Sequence, residues 1–377
     1  MNLKPEVCKM CILGKKIIYV INSLHPGGAE MGLETLISNG LFADTQLHIV
    51  CLTKSSSNLE QRIEKISNIE IIYLSHSEVK NKKIFNYALS LYKIIKNIRP
   101  DIVIASLSQS VIVTRMVKLL YPSFNHITFE HNTHFSSRPA WYLLKATDFL
   151  TNIFWCDSIA TRRSLLARRK KAKNIVLNLF FVQSDVPIKQ IYSIDQQIKL
   201  MAVGRLMTQK NYPQLIDVVN NLCRQNVDIE LTIYGDGELL SHLKQIVADL
   251  RLDGKIIFRG FVDNWISDAA EYDAYILMSD FEGLSIATLE AMSIGLPCIV
   301  KPVGELSNYV SNGITGMTVE TVYDAVNSII ELKHDDILRI KLGQNGRKYV
   351  ADNYSQEKFL KQISKAKTSL EKLYEAN

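Results

Sequence analysis

Short apolar runs rich in isoleucine and valine alternate with longer stretches whose apolar residues recur every three or four positions. That alternation is the signature of βαβ units and a parallel sheet. It predicts strands at 16–22, 46–52, 69–74, 101–105, 125–129, 157–161 and 174–178, with helical segments between several of them. One such segment, 84–98, carries Ile84, Ala88, Leu91, Ile95 and Ile98 on one face. The pattern pauses over 179–197, then resumes with strands expected at 198–204, 228–234, 255–259, 273–278 and 296–300. The expected fold is therefore α/β, two doubly wound parallel-sheet domains, with an acceptor-side domain at 1–180, a linker at 181–197 and a second domain at 198–353. A closing helix at 354–377, with Phe359, Ile363 and Leu370 on its apolar stripe, is expected to pack back towards the N-terminal domain. Two such sheets face each other across a cleft, and ligands sit outside the carboxyl ends of their strands.

At 377 residues the chain has room for two cores. Its 47% hydrophobic and 22% charged residues exclude a disordered or collagen-like protein. No uninterrupted apolar run nears the roughly 20 residues of a spanning helix. The opening MNLKPEVCKMCILGKK has no signal-peptide pattern, and six scattered cysteines fit a reducing compartment, so a cytoplasmic location is expected. The net charge of +6 conceals an imbalance: residues 1–187 carry +11 and the remainder −5. The densest basic cluster is Arg162, Arg163, Arg168, Arg169, Lys170, Lys171 and Lys173, with Lys80, Lys82 and Lys83 as a second. Such a half favours anionic partners.

Four strand-end loops carry residues suited to phosphate chemistry. The first strand runs into His25-Pro26-Gly27-Gly28-Ala29-Glu30, where a glycine pair opening a helix lets backbone N–H groups approach an anion. It lacks the G-x-G-x-x-G spacing of a dinucleotide site, and a plain turn explains it equally well. The second domain opens on Val203-Gly204-Arg205-Leu206 with Lys210 five residues beyond Arg205, two cations able to neutralise a departing diphosphate without a metal. Tyr234-Gly235-Asp236-Gly237-Glu238 places further glycines between a strand and a helix. Most informative is Asp280-Phe281-Glu282-Gly283-Leu284-Ser285 leading into Ile286-Ala287-Thr288-Leu289-Glu290. Ser285 is placed to N-cap the helix, the Gly283–Ser285 backbone offers donors at its positive end, and Glu282 and Glu290 stand on the order of 10 Å apart. That separation suits carboxylates flanking a diphosphate better than the roughly 5 Å pair of a retaining glycosidase.

PGGAE at 26–30, VGRL with Lys210, YGDGE at 234–238 and FEGLSIATLEA at 281–291 together resemble the retaining glycosyltransferases of family four, over about residues 16–353. The resemblance implies the GT-B arrangement of two Rossmann-like domains, and Glu282 with Glu290 match the family's E-x7-E motif. It implies that Arg205 and Lys210 bind the donor diphosphate and stabilise the leaving nucleotide. Glu290 would bond the ribose hydroxyls, and Glu282 the donor sugar, helped by the backbone of Gly283, Leu284 and Ser285. Gly28, beside Gly27, would approach the diphosphate, and Gly237 would lie at the nucleotide. His131 would sit beside the reacting sugar, and Phe261 and Val262 would hold the base. Asn178-Leu179 departs from the Asn-Pro pair frequent in the family, which leaves the domain boundary approximate.

A nucleotide sugar, a UDP-sugar, is then the expected donor, with configuration retained, no cofactor and no metal. The acceptor expected is a hydroxyl of a lipid-linked cell-surface glycan. His126, Glu130, His131 and His134 form only a partial metal-ligand set, and no D-x-D occurs. Cys8 and Cys11 have redox spacing but precede the first strand. A nucleotide-sugar epimerase and an anionic-polymer-binding module are the competing readings; the E-x7-E motif and the cations at 205 and 210 disfavour the first, and no recognition helix or stacking motif supports nucleic acid. The basic N-terminal half, with Phe135, Trp141, Tyr142, Phe149, Phe154 and Trp155 nearby, is expected to dock on an anionic membrane surface.

Overall fold

The computed structural model describes residues 14–55, 58–66, 69–76, 84–133, 138–183, 186–194 and 196–375. Cys8, Cys11, Lys80, Lys82, Lys83, His134 and Phe135 lie outside the described residues. The chain divides into two compact units, one running to Leu179 and taking up the chain again from Phe359, the other Phe180–Lys358.

The N-terminal unit holds a sheet of β1 (Lys15–Ile21), β2 (Thr45–Cys51), β3 (Glu70–Tyr73), β4 (Ile102–Ser106), β5 (Asn125–Glu130), β6 (Ile153–Cys156) and β7 (Asn174–Val176). Its order is β3-β2-β1-β4-β5-β6-β7, every pair parallel. The C-terminal unit repeats the plan with β8 (Ile198–Val203), β9 (Ile229–Tyr234), β10 (Ile256–Gly260), β11 (Ala274–Leu277), β12 (Cys298–Val300) and β13 (Met317–Thr318), ordered β10-β9-β8-β11-β12-β13. Both are Rossmann-type orders, in which the winding reverses beside the first strand and leaves a crevice at the carboxyl edge. In the C-terminal unit that switch point lies between β8 and β11, in the N-terminal unit between β1 and β4.

Strand alternation supplies both faces. Along β8, Ile198, Leu200 and Ala202 enter one core while Met201 and Val203 enter the other, and β11 divides Ala274 and Ile276 from Tyr275 and Leu277 in the same way. A sheet apolar on both faces requires helices on both sides, which explains the near-continuous apolar runs.

Two expectations change. The segment 157–161 is not a strand: β6 ends at Cys156, and Ser158 caps the helix Ile159–Arg168 through a reciprocal box with Thr161. The described residues of the expected linker, 181–183, 186–194 and 196–197, are not free but form a strap on the C-terminal unit. Val182 N–H donates to Tyr354 O (2.9 Å), the Lys189 ammonium to Tyr272 O (2.6 Å), and the Tyr192 hydroxyl to Gly295 O (2.8 Å). The closing helix Gln356–Glu375 buries Phe359, Ile363, Ala366 and Leu370, and from Phe359 it belongs to the N-terminal unit. Trp155 Nε1 donates to Ser369 Oγ (3.2 Å) and Asn125 Nδ2 to Leu373 O (2.8 Å).

The basic cluster divides as well. Arg168 is not a surface charge: its guanidinium, 3% exposed, reaches Asp148 Oδ2 at 2.7 Å and Glu130 Oε1 at 2.6 Å, and Arg115 pairs with Asp148 at 2.9 Å. Arg162, Arg163, Lys170, Lys171 and Lys173 remain exposed. Of the aromatics, Phe154 and Trp155 are core, whereas Tyr142 and Phe149 are 64% and 66% exposed.

Candidate functional site

At the switch point of the C-terminal unit the loop after β8 meets the loop after β11. The first runs through Gly204, Arg205 and Leu206 into a short 3-10 turn, Thr208–Lys210. A Cβ at Gly204 would stand 2.9 Å from Lys210 Cε, so glycine is what lets the lysine stem fold back across the strand end. The buried Tyr212 hydroxyl donates to Gly204 O (2.8 Å) and fixes the loop from below. Three further contacts join the two loops, and a fourth ties Asp280 to the loop after β12. Gln209 Nε2 donates to Phe281 O (2.8 Å), Asp280 N–H to Gln209 O (2.9 Å), Asn211 Nδ2 to Asp280 Oδ1 (3.0 Å), and Lys301 pairs with Asp280 at 3.1 Å.

The centre of this arrangement is an ion pair. Lys210 Nζ lies 2.8 Å from Glu282 Oε1, their side chains 15% and 7% exposed. Charge-assisted contacts this short are strong where water is scarce. The Glu282 backbone is boxed in by Gly304, where a Cβ would fall 2.1 Å from Glu282 O. Glu305 N–H donates to Gly283 O (3.0 Å), and the buried Tyr309 hydroxyl to Leu284 O (2.9 Å).

Ser285 occupies the N-cap position of the helix Ile286–Ser293 but does not cap it with its side chain. It adopts a left-handed conformation, φ 56°, and its Oγ meets Thr288 Oγ1 at 2.9 Å instead. A non-glycine residue held there stores strain of a kind common at ligand sites. In the same helix Glu290 is half-buried, and burial pushes its carboxyl up to about 7.

Gly237 serves packing. A Cβ there would lie 2.5 Å from Leu206 O, one at Gly235 2.0 Å from Gly204 O, and the Gly237 N–H is donated to Asp236 Oδ1 (2.7 Å). The 234–238 loop thus buttresses the Gly204–Leu206 loop. Phe261, 47% exposed, and the half-buried Val262 follow β10 at the same sheet edge, and Arg205 is half-buried on the loop after β8.

The remaining predicted residues belong to the N-terminal unit. Gly27 precedes the helix Gly28–Ser38 in extended backbone, and Gly28 is exposed at its first position. His131 follows β5 with its Nε2 2.8 Å from Ser106 Oγ and its Nδ1 3.7 Å from Asp157 Oδ2. Among the described residues no three His, Cys, Asp or Glu side chains converge as a metal site; His126 is buried in the sheet and Glu130 is bound by Arg168. Sequence reasoning gave no role to Asp280, Gln209, Asn211 or Lys301, whose partners lie 21–72 residues away and leave no spacing signal.

The family model for glycosyl transferases group 1 matches residues 187–349. The N-acetyl-alpha-D-glucosaminyl L-malate synthase of Bacillus anthracis is 27% identical over 188 residues, 49% of each protein, so the chain spans about half the length of that relative. The O-antigen biosynthesis glycosyltransferase WbnH of Escherichia coli is 27% identical over 296 residues, 73% of this chain and 80% of WbnH. Among solved structures, Anabaena Alr3699/HepE in complex with UDP-glucose matches with a TM-score of 0.76 at 18% identity, over 94% of this chain and 99% of that one. Two parallel-sheet α/β units of this order are the GT-B fold. The matched residues, 187–349, are those that carry the ion pair, the strained Ser285 and the buttressing glycines.

Proposed function

We propose that the protein is a retaining, metal-independent glycosyltransferase that moves a hexose or N-acetylhexosamine from a UDP-sugar to a hydroxyl of a lipid-linked cell-surface glycan. The observation that carries the reading is the Lys210–Glu282 pair, set at the switch point of a group 1 domain. A nucleotide sugar presents a diphosphate, which competes with Glu282 for the Lys210 ammonium. Once the lysine turns to phosphate, the Glu282 carboxylate is available to sugar hydroxyls. Backbone N–H groups at 283–285 and Arg205 supply the rest of the anion seat, Glu290 accepts from the ribose hydroxyls, and Phe261 and Val262 flank the base. A complex of Alr3699/HepE with UDP-glucose, a protein of the same fold, supports the choice of donor.

In the reaction the bond from the anomeric carbon to the phosphate oxygen breaks, and the bond from that carbon to the acceptor oxygen forms on the same face. The acceptor proton passes to the leaving phosphate. No carboxylate nucleophile is required, and the chain contributes position and charge, with Lys210 and Arg205 offsetting the growing negative charge of the departing UDP. The N-terminal unit is proposed to meet the cytoplasmic face of an anionic membrane through Arg162, Arg163, Lys170 and Lys171, with Tyr142 and Phe149 as exposed aromatic residues. Among the described residues no helix is long and apolar enough to cross a membrane.

A panel of UDP-sugars incubated with the purified chain, monitored by UDP release with and without EDTA, tests the reading. The expected result is release from one or two donors, unchanged by EDTA. Loss on chelation that Mn²⁺ or Mg²⁺ restores would overturn the metal-free part, and release from no UDP-sugar would overturn the donor assignment.

A further inference from the structure

Three adjacent strand ends of the N-terminal unit bring together side chains that lie about 25 residues apart in sequence. Ser106 ends β4, His131 follows β5, and Asp157 follows β6. Ser106 Oγ is 2.8 Å from His131 Nε2, a good hydrogen bond. His131 Nδ1 is buried with no hydrogen-bond partner and faces Asp157 Oδ2 at 3.7 Å. A buried imidazole nitrogen left unpaired carries a desolvation cost, and beside a carboxylate that cost falls when the nitrogen bears the proton and finds an acceptor.

Asp157 is placed to be that acceptor. The other two carboxylates of the neighbourhood are occupied: Glu130 is held by Arg168, and Asp148 by Arg168 and Arg115. Asp157 is itself 4% exposed, and its Oδ1 is met by the Thr161 hydroxyl at 3.0 Å, which turns Oδ2 to the histidine. Its backbone is pinned as well, since Asp157 N–H donates to Glu130 O at 3.1 Å. The imidazole stacks on Phe129 with ring centroids 4.4 Å apart, and a small pocket opens beside it between Phe129, Asn132 and Ser108.

We propose that Asp157 is a positioning residue for His131: its carboxylate takes the Nδ1 proton, which makes Nε2 the acceptor for the Ser106 hydroxyl and holds the ring in one orientation at the pocket. The 3.7 Å separation exceeds a hydrogen bond by about 0.7 Å. Such contacts commonly close up when a catalytic site fills. The consequence for turnover rests on the glycosyltransferase reading; the proton's location does not.

The test is the tautomer of His131 in the intact chain labelled with ¹⁵N-histidine, its signals identified by their loss in His131→Gln. The expected spectrum has the proton on Nδ1 and an unprotonated Nε2. In Asp157→Asn the amide is able to donate to Nδ1, so the proton shifts to Nε2, whereas Ser106→Ala leaves it on Nδ1. With an active UDP-sugar, Asp157→Asn lowers kcat about tenfold or more and leaves the donor KM within about twofold. A wild-type proton on Nε2 would overturn the assignment even if Asp157→Asn failed to fold, and so would a folded Asp157→Asn with the wild-type tautomer and kcat. Absence of turnover with every UDP-sugar, beside the expected tautomer, would count against the donor reading alone.

Discussion

Glu290 is a carboxylate whose ionisation is uphill in the folded protein, and this gives it a pH signature. Burial raises its pKa from 4.5 to about 7. The folded state therefore binds more protons than the unfolded state between those values, and this residue's contribution to stability falls as pH rises through that window. Glu290→Gln should raise Tm at pH 8 relative to wild type and leave it little changed at pH 4.5, measured by thermal melts across that range. Binding runs the other way, because ribose hydroxyls need the ionised acceptor. Affinity for a UDP-sugar should drop roughly tenfold between pH 8 and pH 6, and the variant should bind weakly with a flat profile. A flat wild-type profile in a calorimetric titration would remove Glu290 from the ribose. The residue types of this site were legible from the motif, but the Lys210–Glu282 contact was not, since 72 residues separate the partners and only the strand order unites them.

At the scale of elements, close backbone approach and buried charge hold the two sheets' loops in place. Gly235→Ala forces a Cβ to within 2.0 Å of Gly204 O at a φ of 141°, so it should cost about 1–3 kcal/mol and weaken donor binding by displacing the 204–206 loop. Normal Tm and affinity would show that the loop tolerates the shift. Arg168→Ala leaves Glu130 and Asp148 short of a buried cation and should destabilise by about 3–5 kcal/mol in denaturant melts, unlike Lys170→Ser or Lys171→Ser on the surface. The sequence-based reading put Arg168 with its exposed neighbours because charge density carries no record of direction. Asp157-Ser158-Ile159-Ala160-Thr161 was misread as a strand for a related reason. Its β-branched residues fit a strand, yet the reciprocal Ser158–Thr161 box starts a helix, and the true strand is the four residues before it. The long alternating pattern fared better, since both faces of each sheet are buried and only apolar runs satisfy that.

For the whole molecule, the charge imbalance and the nucleotide site make separate demands, and each has its own measurement. Co-sedimentation at about 0.15 M salt should favour anionic over neutral liposomes, and changing Arg162, Arg163, Lys170 and Lys171 to Ser should abolish the preference while sparing UDP release. Equal, negligible binding to both would move the acceptor into solution. The two-unit plan was readable from the resumption of the strand pattern at 198; the strap formed by the described residues before it was not, because its anchors, such as the Lys189 ammonium on Tyr272 O, are backbone carbonyls far along the chain. The donor-site assignment is tested most directly by titrating UDP into the wild-type chain, Lys210→Ala and Glu282→Gln. Wild type should bind, Lys210→Ala should lose about tenfold or more for want of a charge-assisted phosphate contact worth about 1.5–3 kcal/mol, and Glu282→Gln should bind UDP more tightly than wild type because the lysine no longer has to leave a carboxylate. Equal affinity in all three, or no UDP binding by the wild type, would contradict a diphosphate seat at Lys210 and Glu282.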